Sequence, residues 1–224
     1  MKTSKLLIGF AITAVLGAQT PMRVASITAV GDASVSVTPD TAMVDVGVAT
    51  QAATAQDATQ QNATQAGTVI TALQALLGAN ASIKTISYSV SPVYNNPQAT
   101  IVGYVVTNIV EVRLTDLTLV GKVIDTAIQS GANRVQGISF GLQDRTAPVG
   151  QALKTAASRA RSQADAIASG LNVHTGSVLH ASEGVNLANP TTLTPIAGVA
   201  ASTPIETGMV VVQASVTIEV AITP

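Results

Sequence analysis

The end of the chain alternates apolar and polar side chains without a break. Val210, Val212, Ala214, Val216, Ile218, Val220 and Ile222 share one set of alternate positions, and Gln213, Ser215, Thr217 and Glu219 share the other. Because successive side chains of a strand point to opposite faces, this period predicts a long β-strand with one face in a core. A chain that ends in this way must build a sheet and cover one side of it.

Upstream of that strand, the apolar pattern switches repeatedly between the period of a strand and that of a helix. Period-two patterns predict strands at about 24–37, 42–49, 86–90, 102–112, 134–142 and 176–183. Helical periodicity predicts helices at 55–77, 117–129 and 148–169, with Thr54, Thr115 or Asp116, and Thr146 as their N-caps. Gly78 and Gly131 are predicted to end the first two helices. Gly31, inside the first strand, predicts a β-bulge.

A short repeat relates the first two helices. Gly78-Ala-Asn80 and Gly131-Ala-Asn133 each close a helix and open a strand, which indicates a weak duplication of a β-α-β unit. Two such units in series give a ferredoxin-like core. The predicted fold class is therefore α+β: this core, a third helix rich in alanine and two C-terminal strands, in a mostly antiparallel or mixed sheet. Small side chains let the third helix lie close to a sheet, so Ala156→Leu is predicted to overpack it.

The N-terminal residues have the pattern of a targeting segment. Lys2 and Lys5 precede the apolar run 6–16, and the small residues Gly17 and Ala18 follow. The run is shorter than the roughly 20 residues that a membrane span needs, so a signal peptide over 1–18 is predicted. An uncleaved N-terminal anchor is the alternative. The rest, 19–224, is predicted to be a single domain without a transmembrane span, located in the periplasm or secreted. Within it, residues 186–204, with three prolines, are predicted to form a flexible loop.

Composition excludes several classes of activity. The chain has no cysteine, so thiol catalysis, cysteine-bound zinc, iron–sulfur clusters and disulfides are ruled out. A net charge of −1 argues against a nucleic-acid binder, and 2% aromatic residues argue against a base-stacking surface. No nucleophile elbow, Walker loop, HExxH or dinucleotide-binding fingerprint occurs. The sequence therefore predicts no enzyme, no cofactor, and neither catalytic, cofactor-binding nor metal-binding residues.

For a few residues, a functional role has to be compared with a purely structural one. His174 and His180 would share a strand face about 20 Å apart at ~3.3 Å per residue, too far for one metal ion. Asp40 is interpreted as a turn residue, and no second acid lies at helical spacing to form an acid–base pair with it or with Asp45. The other candidates are basic or aromatic. Arg159 and Arg161 diverge on a helix and are interpreted as solvated, with anion binding as the alternative; Tyr88, Tyr94 and Tyr104 flank one hairpin and are predicted to pack across strands.

Several short stretches, taken in order, resemble the SIMPL-domain family of bacterial envelope proteins. They are 30–40 (VGDASVSVTPD), 91–94 (SPVY), 101–104 (IVGY), 137–142 (GISFGL), the third helix, 176–179 (GSVL) and 204–206 (PIE). The family includes periplasmic immunogenic proteins and proteins linked to oxidative-stress defence. The resemblance implies a non-enzymatic periplasmic α+β protein with an envelope or stress-protection role. It also implies self-assembly, since one member is similar to a ring-forming oligomer. The third helix here carries fewer charges than is usual in the family.

The long final strand suggests how copies could meet. A strand from Val210 to Ile222 could extend past its own sheet and leave backbone groups unpaired, with Glu219 as its only charge. The sequence therefore predicts a homo-oligomer, with the 186–204 loop and the ends of the terminal strands in the contacts. An envelope-protein partner stays open. The alternative function is a periplasmic module that binds a ligand or peptide at a sheet edge.

Overall fold

The computed structural model describes residues 24–78, 82–95, 100–188 and 205–224. Its helices and strands are β1 Ser26–Val37, β2 Thr41–Ala52, α1 Ala55–Leu77, β3 Ser82–Asn95, β4 Thr100–Leu114, α2 Val120–Gln129, β5 Arg134–Gly141, α3 Thr146–Gly170, β6 His174–Ala188 and β7 Val210–Thr223. They form two antiparallel sheets, ordered β3-β4-β2-β5 and β1-β7-β6. The α+β class is confirmed.

The four-stranded sheet contains the two predicted β-α-β units. In β2-α1-β3 and in β4-α2-β5, the first strands pair at the centre of the sheet and the second strands lie at its edges. Each unit is thus split by a strand of the other, as in a ferredoxin-like fold. The helices cover one face with large apolar side chains, including the fully buried Leu73 of α1 and Val123 of α2. Thr54 caps α1 as predicted: its side chain accepts a hydrogen bond from the backbone N–H of Asp57.

The three-stranded sheet joins sequence segments that lie far apart. Although β2 follows β1 in sequence, the two strands lie in different sheets. β1 pairs with β7, in a register that runs from Ser26–Ala221 to Val37–Val210. Asp40 holds the connection between the two sheets in place, as its predicted turn role suggests. Its N–H donates to the Gly141 oxygen (3.1 Å), and its carboxylate accepts from the Gln143 N–H (2.6 Å). The same short connection therefore ends β1 and ties β2 to the end of β5.

The fully buried residues with which α3 covers the three-stranded sheet are all alanines, and the half-buried Val149 and Leu153 pack beside them. Ala152, Ala156, Ala160, Ala164 and Ala168 are all at most 1% exposed. The prediction of a bulge at Gly31 is wrong, because the β1–β7 register passes through the Gly31–Val216 pair without a shift. A Cβ built on Gly31 would lie 2.1 Å from the Ala156 oxygen and 2.3 Å from the Ala160 nitrogen. Gly31 is therefore where the backbone of α3 touches the sheet.

Three other details differ from the sequence predictions. Thr146 is the first residue of α3 rather than its cap, and its N–H bonds to the carboxylate of Asp144 (2.8 Å). The second helix begins as a 3₁₀ turn over Leu117–Leu119, capped by Asp116, before α2. β7 does not leave an unpaired edge: it lies between β1 and β6 and is paired on both sides along nearly its whole length. The terminal strand was thus a poor candidate for an open edge, because the chain supplies a neighbour for each of its sides.

Some predictions fall outside the described residues. These are the signal peptide over 1–18, Ala79 and Asn80 of the first repeat, and positions 189–204 of the predicted loop. The first three residues of the predicted 186–204 loop, Asn186 to Ala188, belong instead to β6. Within the ranges given above, none of the helices is both long and apolar enough to cross a membrane.

Candidate functional site

The two histidines lie on β6, as predicted, and face the same side of the sheet. His174 is opposite Thr223 and His180 is opposite Glu219, so the residues facing them on β7 are four apart. Two irregularities in β6 shorten the predicted separation to about 13 Å at ~3.3 Å per residue. That distance is still too long for a shared metal ion. Over the described ranges, no group of three or more His, Cys, Asp or Glu residues is placed to hold one.

The two arginines diverge, as predicted, but they are not merely solvated. Arg159 donates from Nη1 to the backbone oxygen of Asp32 in β1 (2.7 Å). Arg161 reaches the opposite edge strand, β6, and donates to the Gly176 oxygen (3.0 Å) and the Thr175 hydroxyl (2.8 Å). It also forms an ion pair with Asp165, four residues along the same helix (3.0 Å). The arginines thus tie α3 to the two edges of the sheet.

A carboxylate pair that the sequence did not reveal lies on the four-stranded sheet. Asp45 of β2 is directly opposite Glu111 of β4, and Lys84 of β3 is opposite Glu111 on the other side. Burial, and to a smaller extent the charge of Glu111, raises the pKa of Asp45. One oxygen of Asp45 is buried without a hydrogen-bond partner. Only the strand register could have revealed it, because the two acids are far apart in sequence.

The three tyrosines lie on the β3–β4 hairpin, as predicted, but they do not pair with one another. Tyr104 is opposite Pro92, Tyr88 opposite Asn108, and Tyr94 opposite Ile101. The hairpin extends beyond β2, whose pairing with β4 ends at Ala52–Tyr104. Its exposed large apolar side chains, each at least 43% accessible, are Ile86, Tyr88, Val90, Tyr94, Ile101 and Val102. The hairpin is therefore a projection whose apolar side chains are left exposed by the part of the chain that the structure describes.

A cavity lies on the other sheet. It has a volume of about 610 Å³ and is lined by three adjacent strand segments, 32–34 of β1, 184–186 of β6 and 213–215 of β7, together with Arg159 of α3. The register aligns the three segments side by side, with Ser34 opposite Gln213 and Gln213 opposite Asn186. This volume is in the range of small-molecule sites, roughly 300–1,000 Å³. Of the residues that the sequence singled out, only Arg159 borders it.

Comparison with known proteins places the chain in a family. Two curated relatives, the 26 kDa periplasmic immunogenic proteins of Brucella melitensis biotype 1 and of Brucella abortus strain S19, are each 27% identical over 180 residues. The alignment covers 77% of this chain and 71% of either relative. The family model SIMPL, described as a protein of unknown function (DUF541), matches residues 27–220. Since that match covers well over half of the chain, and includes all of every helix and strand except the first residue of β1 and the last three of β7, the chain belongs to the SIMPL family.

Proposed function

We propose that this chain is a non-enzymatic periplasmic protein that associates with copies of itself through the β3–β4 hairpin. The periplasmic location is supported by the names of the two Brucella relatives and by the signal-peptide pattern of residues 1–18. The non-enzymatic character is supported by the lack of a catalytic motif in the sequence. The envelope or stress-protection role is proposed on the family resemblance alone.

The proposal of self-association rests on the exposed face of the hairpin. The register places Tyr88, Val90 and Tyr104 on the same face as the buried Val106, so they continue a core face beyond the point where it is covered. Tyr88 is 52% exposed and Val90 is 43% exposed. A contiguous apolar surface of this kind, unusual on a monomeric protein, is typical of a binding interface.

The composition of the hairpin favours a second copy as the occupant. Lys84 is the only charged residue in 82–95, and 100–110 has none, so the hairpins of two copies can meet without like-charge repulsion. The backbone edge of β3 is less suitable for pairing with a second copy. Pro92 and Lys84 on this strand disfavour edge-to-edge pairing, and the β3–β4 register shifts twice. We therefore place the contact on the side-chain face rather than on a shared β-ladder.

Light scattering on the purified chain, at tens of micromolar, tests the proposal with a matched pair of variants. Tyr88→Glu/Val90→Glu places two charges on the hairpin face and is expected to release monomers. Val178→Glu/Val185→Glu changes two exposed apolar residues of β6 (50% and 42% accessible) and is expected to assemble normally. Circular dichroism verifies that both variants fold. A monomeric parent protein, or a hairpin variant that assembles like the parent, contradicts the proposal.

The stress-protection role has a separate test. A strain that lacks the gene is expected to lose viability in peroxide, and the wild-type chain is expected to restore it. The hairpin variant shows whether this protection depends on assembly. Survival equal to that of the parent strain would contradict the role without affecting the interface.

A further inference from the structure

In the part of the chain that the structure describes, the two sheets have four edge strands, and β1 is the least protected of them. β3 carries Pro92 and Lys84, and β5 is only eight residues long and has a register shift. β6 has two register shifts, and Arg161 binds its Gly176 oxygen. The twelve residues of β1 pair without a shift, contain no proline, lysine or arginine, and carry Asp32 as their only charge. A long, regular edge of this kind is a template for an added strand.

The hydrogen bonds of β1 show which of its backbone groups face outward. The Ala25 oxygen accepts from the Ile222 N–H of β7 (3.0 Å), so alternate residues from Ala25 onward bond to β7. The residues between them direct their N–H and C=O groups away from the sheet. Arg159 confirms this alternation, since it caps the outward oxygen of Asp32 at 2.7 Å. The residues with outward groups are Ser26, Thr28, Val30, Asp32, Ser34 and Ser36, all exposed from Thr28 onward.

The charge of Arg159 determines which strand fits this edge. It is the only charge on the β1 side of α3, because Arg161 and its partner Asp165 reach β6, and Lys154 lies about two turns before Arg161 on that same side. Asp32 lies near the middle of β1, so antiparallel pairing of two β1 strands would bring two Arg159 side chains together. Like charges disfavour that dimer, whereas an acidic side chain on the added strand would be attracted.

We propose that the outer edge of β1 binds an extended peptide segment of another protein as an added antiparallel strand, with an acidic side chain of that segment at Arg159. An N–H of the segment replaces Arg159 on the Asp32 oxygen, and the released guanidinium pairs with the carboxylate. The side chain of Asp32 does not compete for the guanidinium. It lies on the opposite face of the sheet from Ala33 and Ala29, which pack under α3. This edge is separate from the hairpin proposed for self-association.

The probes are two capped peptides, acetyl-Lys-Thr-Val-Thr-Glu-Thr-Val-Thr-Lys-amide and the same peptide with Gln in place of Glu. Amide hydrogen exchange of the full chain is followed residue by residue by NMR at millimolar peptide. Exchange is expected to slow at the outward N–H groups of Thr28, Val30 and Ser34, but not at Ala29 and Gly31, which already bond to β7. The Glu peptide is expected to bind about fivefold more tightly, the upper end for an exposed ion pair. Absence of saturable binding, or protection that does not alternate along β1, overturns the proposal.

Substitutions test the edge and the charge separately, and circular dichroism verifies that each variant folds. Val30→Pro removes an outward N–H without removing a bond to β7, so it is expected to abolish binding, whereas Val30→Thr retains the N–H and is expected to bind as the parent does. Arg159→Ala is expected to lose the preference for the Glu peptide, and Lys154→Ala to keep it. Unchanged binding by Val30→Pro rules out the edge, and an equal loss of preference in the Arg159 and Lys154 variants rules out the role of Arg159.

Discussion

The two sheets are covered by helices in different ways. α1 and α2 meet the four-stranded sheet through large side chains such as Leu73, Val69 and Ile124. α3 meets the three-stranded sheet through alanines, and at Gly31 its backbone touches that of the strand. Both arrangements exclude water from one face of a sheet. In the first arrangement, large side chains fill the space between the helices and the sheet. In the second, the helix lies so close to the sheet that almost no space is left between them.

This difference determines which substitutions each layer can tolerate. A layer filled by large side chains loses burial and gains a cavity when a side chain is shortened. A layer with backbone contact has no room for an added carbon and must shift as a body. The following substitutions test that asymmetry.

Gly31→Ala is expected to have the largest effect. Its Cβ would lie 2.1 Å from the Ala156 oxygen, and that neighbour is helix backbone that cannot rotate away. We expect destabilisation of about 5 kcal/mol or more, beyond the ordinary range for point substitutions. Gly184→Ala in β6 of the same sheet is the control, because a Cβ there meets nothing within 4 Å. Urea unfolding measures both. If the Gly31 variant unfolds at the wild-type midpoint, the close contact does not exist.

Leu73→Ala tests the other layer. Leu73 is fully buried in α1, so its truncation is expected to cost about 2–5 kcal/mol. Leu76→Ala on the same helix is the control, since Leu76 is only half-buried and should cost clearly less. Equal losses of unfolding free energy at the two sites would show that the layer does not depend on tight filling.

Ala156→Leu applies the opposite change to α3. Ala156 is fully buried against the sheet, and the added carbons are expected to cost about 1–3 kcal/mol through overpacking. The adjacent Ala157 is exposed, so Ala157→Leu should leave the thermal midpoint almost unchanged. A stabilised Ala156→Leu variant would reveal unfilled space under α3.

The smallest effect is expected at the acid pair of the four-stranded sheet. Because the folded state raises the pKa of Asp45 above 3.8, it binds a proton more tightly than the unfolded chain does. Stability is therefore lost as the pH rises from about 3.8 through the folded-state pKa. Asp45→Asn removes this loss and should be more stable than the parent at neutral pH by about 0.2–1 kcal/mol.

Unfolding free energies at several pH values check this prediction. Glu111→Gln should reproduce part of the gain, whereas Asp57→Asn, at the start of α1, should not. The advantage of Asp45→Asn should vanish at acid pH, where Asp45 is protonated. An advantage that is independent of pH would rule out the charge as its cause.

The sequence predicted the elements and the ferredoxin-like units because periodicity and caps are local signals. The predicted role of Gly31, a β-bulge, was wrong because the actual role of this residue depends on its contact with α3, which begins more than a hundred residues later. The proximity of Asp45 and Glu111 was missed for the same reason, because the two residues become neighbours only through the register of β2 and β4. The cavity requires three strands from distant segments, so of its wall only Arg159 was singled out. Local structure could therefore be predicted from the sequence, whereas contacts between residues far apart in the chain could not.

The pairing of β1 with β7 has a consequence for the order in which the protein folds. All strands of the β3-β4-β2-β5 sheet lie within residues 41–141, so this layer can form while the rest of the chain is still being synthesised. β1 emerges before all of them but finds its partner only when residues 210–221 arrive. Long-range pairing of this kind is slow, because a large loop must close first. The first strand therefore lacks its partner strand during most of the synthesis of the chain, and this interval is when a chaperone would be most useful.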